Sequence, residues 1–291
     1  MNTITLSGAS AALGMALSYD HRWLAVTTGA STLLVSVPEL LAGVQDPEVA
    51  TLEDSGTGQI EAAFSTNDQY IFVTDEDSGE LSVFSIAAAV SSGFRTTPVS
   101  IGQVPLGPAP VGVAVSPDGD WIYVTTDGSG SGPGELWLID AHLAAQSPKS
   151  AVVTHVDAGC QPVRVALTPT GNMAWVTARA SNLLLGFNTA DLRDEPSRAL
   201  RAAVRVGPEP VGVALYDNGE YAVVANSARF VAPGEPQTLT LVDLGAAVAG
   251  QVAITGWVAA GAFPREVATD GSVGVVTNFD SRTVQVFSLS S

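Results

Sequence analysis

Cysteine, lysine and long apolar runs are nearly absent from this chain of 291 residues. The single cysteine, Cys160, excludes an internal disulfide and any cysteine-rich metal site. Lys149 is the single lysine, and 12 basic residues against 29 acidic ones give a formal net charge of −17. Such a chain repels phosphate backbones, so we expect no nucleic-acid partner.

Two further absences bear on the cellular location. No segment approaches the roughly 18 uninterrupted apolar residues of a membrane-spanning helix, so we expect no membrane partner. The opening residues, MNTITLSGAS, lack the basic and apolar regions of a secretory signal. We therefore expect a cytoplasmic protein.

What the chain does contain is one unit repeated six times, with start points roughly every 50 residues, a period typical of propellers and solenoids. The unit reads apolar strand, tight turn, apolar strand, loop and third strand. The clearest copies are residues 110–127, 162–179 and 210–227, and the weaker copies are residues 12–29, 59–76 and 264–279.

The repeat predicts an all-β fold, a six-bladed β-propeller of four-stranded antiparallel blades in a single domain. We name the strands of each blade A to D in chain order. The spare strand Thr3–Leu6 is expected to close the last blade, which leaves no free sheet edge and favours a monomer. The predicted blades are approximately residues 11–52, 58–105, 109–156, 161–206, 209–258, and 262–291 with 1–8.

The hairpin at residues 110–127 resembles the YVTN-type repeat of bacterial and fungal β-propellers, and VVAN at 223–226 and VVTN at 275–278 are similar to its tetrapeptide. The resemblance implies the lactonase-like propeller superfamily. That superfamily includes lactonases, cycloisomerases of muconate-type acids, and surface or scaffold proteins. It therefore implies a fold and leaves the chemistry open.

Stacking the six A strands on the frame Pro-Val-X-Val-Ala exposes a candidate site. Position X alternates between glycine and a charged residue: Gly14, Glu61, Gly112, Arg164, Gly212 and Glu266. We predict that Glu61, Arg164 and Glu266 converge on the propeller axis, with the glycines leaving space between them. A charged group on an inner strand must be paired or wetted. The three residues therefore form either a polar catalytic funnel or an internal ion cluster that locks blades together.

The ends of the B strands add a second layer of candidates at the same rim. The predicted substrate-binding residues are Asp75, Asp127, Arg179, Asn226, Asn278, Phe230, Phe263 and Phe279. The Asn and Asp residues could instead only cap loops. Gluconolactonase-type propellers hold a divalent ion with a similar Glu/Asn/Asp set. That resemblance implies Ca²⁺ or Mg²⁺ on Glu61, Asp75, Asn226, Asn278 and Glu266, although the order along the chain does not match closely.

Two functions remain open. The first is an enzyme acting on a small organic molecule by lactone hydrolysis, lactonising isomerisation, or another cyclisation or lyase step. Glu61 and Glu266 would be the acid and base, and Arg164 would bind an anion or developing negative charge. No signature of an organic cofactor is present, so none is expected. The alternative is a non-catalytic propeller that binds a protein or peptide on one rim.

Overall fold

Six antiparallel sheets follow one another along the chain in a computed structural model. The structure describes residues 11–45, 47–91, 100–128, 132–230 and 237–289. The sheets are the blades of a six-bladed β-propeller, as the repeat predicts. In the described part of the chain five blades have four strands and the last has three. The predicted closing strand, Thr3–Leu6, lies outside the described residues.

The first three blades contain twelve strands in chain order. Blade one contains β1 (Gly14–Leu17), β2 (Trp23–Thr27), β3 (Thr32–Ser36) and β4 (Glu48–Leu52). Blade two contains β5 (Gln59–Phe64), β6 (Tyr70–Asp75), β7 (Glu80–Ser85) and β8 (Ser100–Pro105). Blade three contains β9 (Pro110–Val115), β10 (Trp121–Thr126), β11 (Pro133–Asp140) and β12 (Val152–Cys160). Strand β12 runs beyond residue 156, where we predicted blade three to end.

The last three blades repeat the same order. Blade four contains β13 (Pro162–Leu167), β14 (Met173–Ala178), β15 (Leu183–Asn188) and β16 (Leu200–Arg205). Blade five contains β17 (Pro210–Tyr216), β18 (Tyr221–Asn226), β19 (Thr238–Asp243) and β20 (Ile254–Ala259). Blade six contains β21 (Pro264–Thr269), β22 (Val273–Asn278) and β23 (Thr283–Ser288).

Short helices follow the C strands of the first five blades: α1 (Val37–Leu41), α2 (Ile86–Ser91), α3 (Ala141–Gln146), α4 (Thr189–Asp194) and α5 (Leu244–Val248). In α3 the Asp140 carboxylate accepts a hydrogen bond from the Leu143 amide at 2.8 Å, which satisfies a free donor of the first turn. No helix in the described residues is long and apolar enough to cross a bilayer.

The chain divides into two compact units. The first comprises residues up to Val124 together with Trp137–Val153, and the second comprises Thr125–Leu136 with Thr154–Ser291. In the second unit, Trp175 of blade four is buried with Ala222 and Val224 of blade five. A Cβ atom at residue 186 would come within 2.7 Å of the Trp175 ring, so glycine at that strand position makes room for the indole. The hydrophobic core therefore lies between successive blades.

Candidate functional site

The charged residues at position X lie in β-bulges of the A strands. The register between β13 and β14 shifts between Pro162 and Val165, so Arg164 interrupts the ladder. Equivalent shifts surround Glu61 in β5 and Glu266 in β21. A bulge bends the strand and re-aims a side chain. The repeated bulge therefore gives these three positions the same local backbone setting.

A threonine hydroxyl replaces the ladder partner at each of these bulges. The backbone N–H of Glu61, Arg164 and Glu266 donates at 3.1 Å to the Oγ1 atoms of Thr74, Thr177 and Thr277. In four blades the same hydroxyl also donates to a carbonyl of the next blade. The donors are Thr27, Thr74, Thr125 and Thr177, and the acceptors are Ile60, Val111, Val163 and Val211. The threonine of the repeat thus connects blade to blade.

The glycines at position X have a packing role that we did not expect. A Cβ atom at Gly14 would lie within 3.0 Å of the carbonyl oxygen of Ile60, and one at Gly212 within 3.0 Å of that of Arg265. We expected these glycines to leave open space. At these two positions, glycine instead permits the close approach of two neighbouring A strands.

Arg164 and Glu266, both in the second unit, form an ion pair. The Arg164 Nη2 atom contacts Glu266 Oε1, and Arg164 Nε lies 3.4 Å from Glu266 Oε2. The guanidinium is almost buried, with 7% of its side chain exposed, whereas 35% of the Glu266 side chain is exposed. Arg265 Nε lies 3.9 Å from the same Glu266 Oε1 atom. A reachable carboxylate is therefore held by a guanidinium that solvent hardly touches.

Glu61 occupies the equivalent bulge in the first unit, and its side chain is half-buried. Its convergence with Arg164 and Glu266 stays a prediction.

The asparagines that recur at the end of the B strand make hydrogen bonds inside their own blades. Asn226 is fully buried, and its Nδ2 donates to Thr240 at 2.8 Å and to Thr238 at 3.1 Å. Asn278, also buried, donates to Thr283 at 3.2 Å. These amides tie strand B to strand C, which differs from the loop capping that we weighed against ligand binding, and ligand binding by them stays a prediction.

Asp75 occupies the same position in blade two. It is fully buried, and its Oδ2 atom accepts a 2.5 Å hydrogen bond from the Ser82 hydroxyl. Burial raises the pKa of the Asp75 carboxyl to about 7, the charges of Asp54 and Glu80 add to the increase, and the Ser82 hydrogen bond opposes it. In mildly acidic solution a carboxyl with this pKa is neutral. Above pH 7 it ionises, and its negative charge is then buried away from water.

The predicted divalent cation has little support from these donors. Three of its five predicted ligands, Asp75, Asn226 and Asn278, are buried and hydrogen-bonded within their blades. Over the ranges that the structure describes, no group of three or more His, Cys, Asp or Glu side chains is arranged to hold a metal ion. The hydrogen bonds of Asn226 and Asn278 use their Nδ2 atoms, whereas their Oδ1 atoms and the Oδ1 atom of Asp75 are buried without a hydrogen-bond partner. The cation therefore stays a prediction, and no chemical step below is routed through one.

Asp127 and Arg179 form a second ion pair in the second unit. Arg179 Nη2 donates to Asp127 Oδ2 at 2.8 Å, and Arg179 Nε donates to Gln161 Oε1 at 3.3 Å. Burial raises the pKa of the Asp127 carboxyl, while the positive charge and hydrogen bond of Arg179 oppose the increase. Asp127 therefore orients the guanidinium at the end of blade four.

The three predicted phenylalanines lie together with arginines that the repeat alignment did not identify. The Phe263 and Phe279 rings pack edge to face, 5.5 Å apart at 61°. The Arg229 guanidinium lies 5.1 Å from the Phe230 ring centre and 4.8 Å from that of Phe263. Arg179 lies 5.9 Å from the Phe230 ring, and Arg265 lies 5.8 Å from the Phe279 ring. We call these six residues, Arg179, Arg229, Arg265, Phe230, Phe263 and Phe279, the arginine–phenylalanine surface.

Comparison with known structures identifies relatives in fold. A putative 6-phosphogluconolactonase from Bacteroides fragilis superposes with a TM-score of 0.74 at 14% identity, over 99% of this chain and 82% of that one. The β-propeller domain of Myceliophteria thermophila Cps50 (Swd1) gives 0.72 at 13% identity, over 98% and 86%. A chain of the mitotic checkpoint complex gives 0.73 at 12% identity, over 95% and 76%.

No family model and no curated protein sequence matches this chain. Identities this low establish a shared fold alone. One of the three structures is named as an enzyme, and the other two are not. The YVTN-type assignment therefore stays a prediction.

Proposed function

We propose that the protein is an enzyme that acts on a small organic molecule, with Glu266 as acid and base and Arg164 as the group that holds developing negative charge. The observation that carries this proposal is the asymmetry of their ion pair. The Arg164 side chain is 7% exposed and the Glu266 side chain 35% exposed. A buried cation acts in a low local dielectric and needs no reorganisation when charge develops near it. The exposed carboxylate is the group that a substrate can reach.

Lactone hydrolysis shows how these groups would work. Water attacks the lactone carbonyl carbon and gives a proton to the Glu266 carboxylate, while Arg164 and the nearby Arg265 stabilise the negative oxygen that forms. The ring C–O bond then breaks, and Glu266 returns the proton to the leaving alkoxide. The product is an open hydroxy acid. A lactonising isomerisation or a lyase step would use the same two roles, with Glu61 as the second acid or base candidate.

The experiment is a screen of lactones and unsaturated organic acids by mass spectrometry, with the wild type, Glu266→Gln and Glu61→Gln. Glutamine keeps the shape of the side chain, and at position 266 it keeps an oxygen that accepts from Arg164, so both variants should stay folded. We expect turnover to be abolished while the melting temperature stays nearly unchanged. Glu195→Gln is the matched control, because Glu195 lies at an exposed connector and pairs only with Arg198 in the described ion pairs.

Two outcomes would contradict the enzyme. One is a wild type that converts no compound of the panel. The other is a pair of variants that lose stability without losing turnover, which would make the charged residues a structural ion cluster.

A binding scaffold is the second candidate, and the exposure of the aromatic residues favours it. The Phe230 and Phe279 residues are 67% and 50% exposed, next to arginines. Aromatic residues and arginine are enriched at protein interfaces. A propeller that only binds a partner would show no turnover, and Glu266→Gln would leave the binding of that partner intact.

A further inference from the structure

Arg229 is exposed, and its guanidinium lies near two aromatic rings, those of Phe230 and Phe263. In the described part of the chain, no carboxylate oxygen lies within the 4.0 Å of its guanidinium that defines an ion pair. The two neighbouring arginines differ in this respect. Arg179 bonds to Asp127 at 2.8 Å, and Arg265 lies 3.9 Å from a Glu266 oxygen. Of the three arginines of this surface, Arg229 is therefore the one whose positive charge is paired with neither Asp127 nor Glu266.

Hydrogen bonds to the backbone fix the rings beside Arg229. The Phe230 N–H donates to Glu209 Oε2 at 2.6 Å, and the Phe263 N–H donates to Gln237 Oε1 at 3.3 Å. Glu209 and Phe263 both have left-handed backbones, with φ of 52° and 53°. Non-glycine residues persist in that region only where the surrounding structure holds them, and they cluster at ligand sites. Ala109 and Gln161 share this backbone in other blades, so the blade repeat sets it, and the two hydrogen bonds fix the backbone that carries Phe230 and Phe263.

The charge of this surface opposes that of the whole chain. The protein carries −17 formal charge and only 12 basic residues, yet three arginines meet here around three phenyl rings. Planar guanidinium groups that stack on rings keep their N–H edges for a carboxylate, which they bind in a two-point geometry. A ring face next to that edge suits the flat or apolar body of the same ligand.

We propose that the arginine–phenylalanine surface binds a small organic carboxylate with a flat apolar body, the carboxylate on Arg229 and the body on the exposed ring of Phe230. One uncompensated cation matches one carboxylate better than it matches the repeated charges of an acidic peptide. Arg265 contacts both Phe279 and Glu266, so the surface leads to the Arg164–Glu266 pair. The proposal rests on the proposed function to the extent that it names the substrate class of that site.

Calorimetric titration with benzoate and trans-cinnamate tests the site, with the uncharged benzamide and cinnamamide as matched ligands. We expect at least one carboxylate to bind the wild type, and its amide to bind at least about tenfold more weakly, because the charge-assisted hydrogen bonds are lost. Arg229→Gln should weaken carboxylate binding by about tenfold or more. Arg229→Lys should recover only part of the affinity, because lysine keeps the charge without the planar, stacking fork. Arg198→Gln, at an exposed connector of the same unit, should bind like the wild type.

The proposal is overturned if neither carboxylate binds the wild type up to its solubility limit, or if Arg229→Gln binds as the wild type does. It is also overturned if an aspartate- and glutamate-rich peptide binds through Arg229 while both carboxylates fail. Melting curves of Arg229→Gln and Arg229→Lys exclude misfolding as the cause of a loss. Because the readout is binding, binding without any turnover would refute the enzyme and leave this site standing. If the protein shows turnover but the Arg229 variants bind the ligands as the wild type does, only the proposed carboxylate site would be refuted.

Discussion

The hydroxyl of Thr177 in blade four donates a 2.7 Å hydrogen bond to the carbonyl oxygen of Val211 in blade five. The Oγ1 atom of Thr177 also accepts a hydrogen bond from the backbone N–H of Arg164 at 3.1 Å, so one hydroxyl bonds to two A strands at once. Thr27, Thr74 and Thr125 make the equivalent link to the next blade. In blade five the position is Ala225, fully buried, and a methyl group cannot make this bond.

Ala225→Thr should therefore stabilise the protein. By analogy with the other blades, the new hydroxyl would donate to the carbonyl of Arg265, and a buried hydrogen bond of this kind contributes about 1 kcal/mol. Urea unfolding measures the change. Ala225→Val is the matched control, because valine has the shape of threonine without its hydroxyl. A threonine variant no more stable than the valine variant would contradict the link.

Asp75→Asn should remove a pH dependence of stability. The pKa of Asp75 is raised to about 7 in the folded protein, above the roughly 3.9 of an unfolded aspartate. The folded state therefore holds a proton that the unfolded chain has lost, and stability falls as the pH rises from about 4 to about 7. Asparagine, which the protein uses at the equivalent positions 226 and 278, is neutral throughout.

We expect Asp75→Asn to be more stable than the wild type at pH 8, on the order of 2 kcal/mol, with a smaller difference at pH 5. Thermal melting across this range measures the effect. Equal melting profiles for the two proteins from pH 5 to pH 8 would show that the Asp75 carboxyl ionises without cost.

The Arg164–Glu266 pair should show strong coupling in stability. Glu266→Ala leaves the nearly buried guanidinium of Arg164 without its described carboxylate, and breaking such a pair costs about 3 kcal/mol. Arg164→Met removes the buried charge and keeps much of the volume, so we expect it to cost less. The double variant Arg164→Met with Glu266→Ala should then be more stable than Glu266→Ala alone. Additive losses in urea unfolding would exclude this coupling.

Gly212→Ala should destabilise blade five by about 2 kcal/mol, because the new Cβ atom would lie within 3.0 Å of a backbone oxygen that cannot move freely. Gly256→Ala is the control in the outer strand of the same blade. Its Cβ atom would meet Leu241 Cδ1 at an ordinary 3.6 Å. A neighbouring strand comes close to residue 212 but not to residue 256. Equal melting temperatures for the two variants would therefore refute the close approach as the reason for glycine at position 212.

The repeat in the sequence was enough to predict the propeller, because strand, turn and strand recur in a fixed register in every blade. Arg164 and Glu266 were identified by the same register, since each follows a Pro-X pair at the start of an A strand.

Arg229 and Arg265 could not be found in that way. Arg229 lies in a loop, where the repeats have no common length to align. Arg265 directly precedes Glu266, and strict strand alternation places the two side chains on opposite faces. The bulge between Pro264 and Val267 breaks that alternation, and Arg265 Nε comes within 3.9 Å of Glu266. Local backbone irregularity of this kind has no signal in an apolar pattern.

Four residues directly before the proline that opens an A strand share a left-handed backbone, with φ from 52° to 56°: Ala109, Gln161, Glu209 and Phe263. The side chains are a methyl, an amide, a carboxylate and a phenyl ring on the same backbone shape. A following proline by itself favours an extended backbone. Because four different side chains share the left-handed one, the surrounding blade sets it, and not the identity of the side chain. Evolution can therefore exchange chemistry at this position, blade by blade, and change ligand preference without disturbing the architecture.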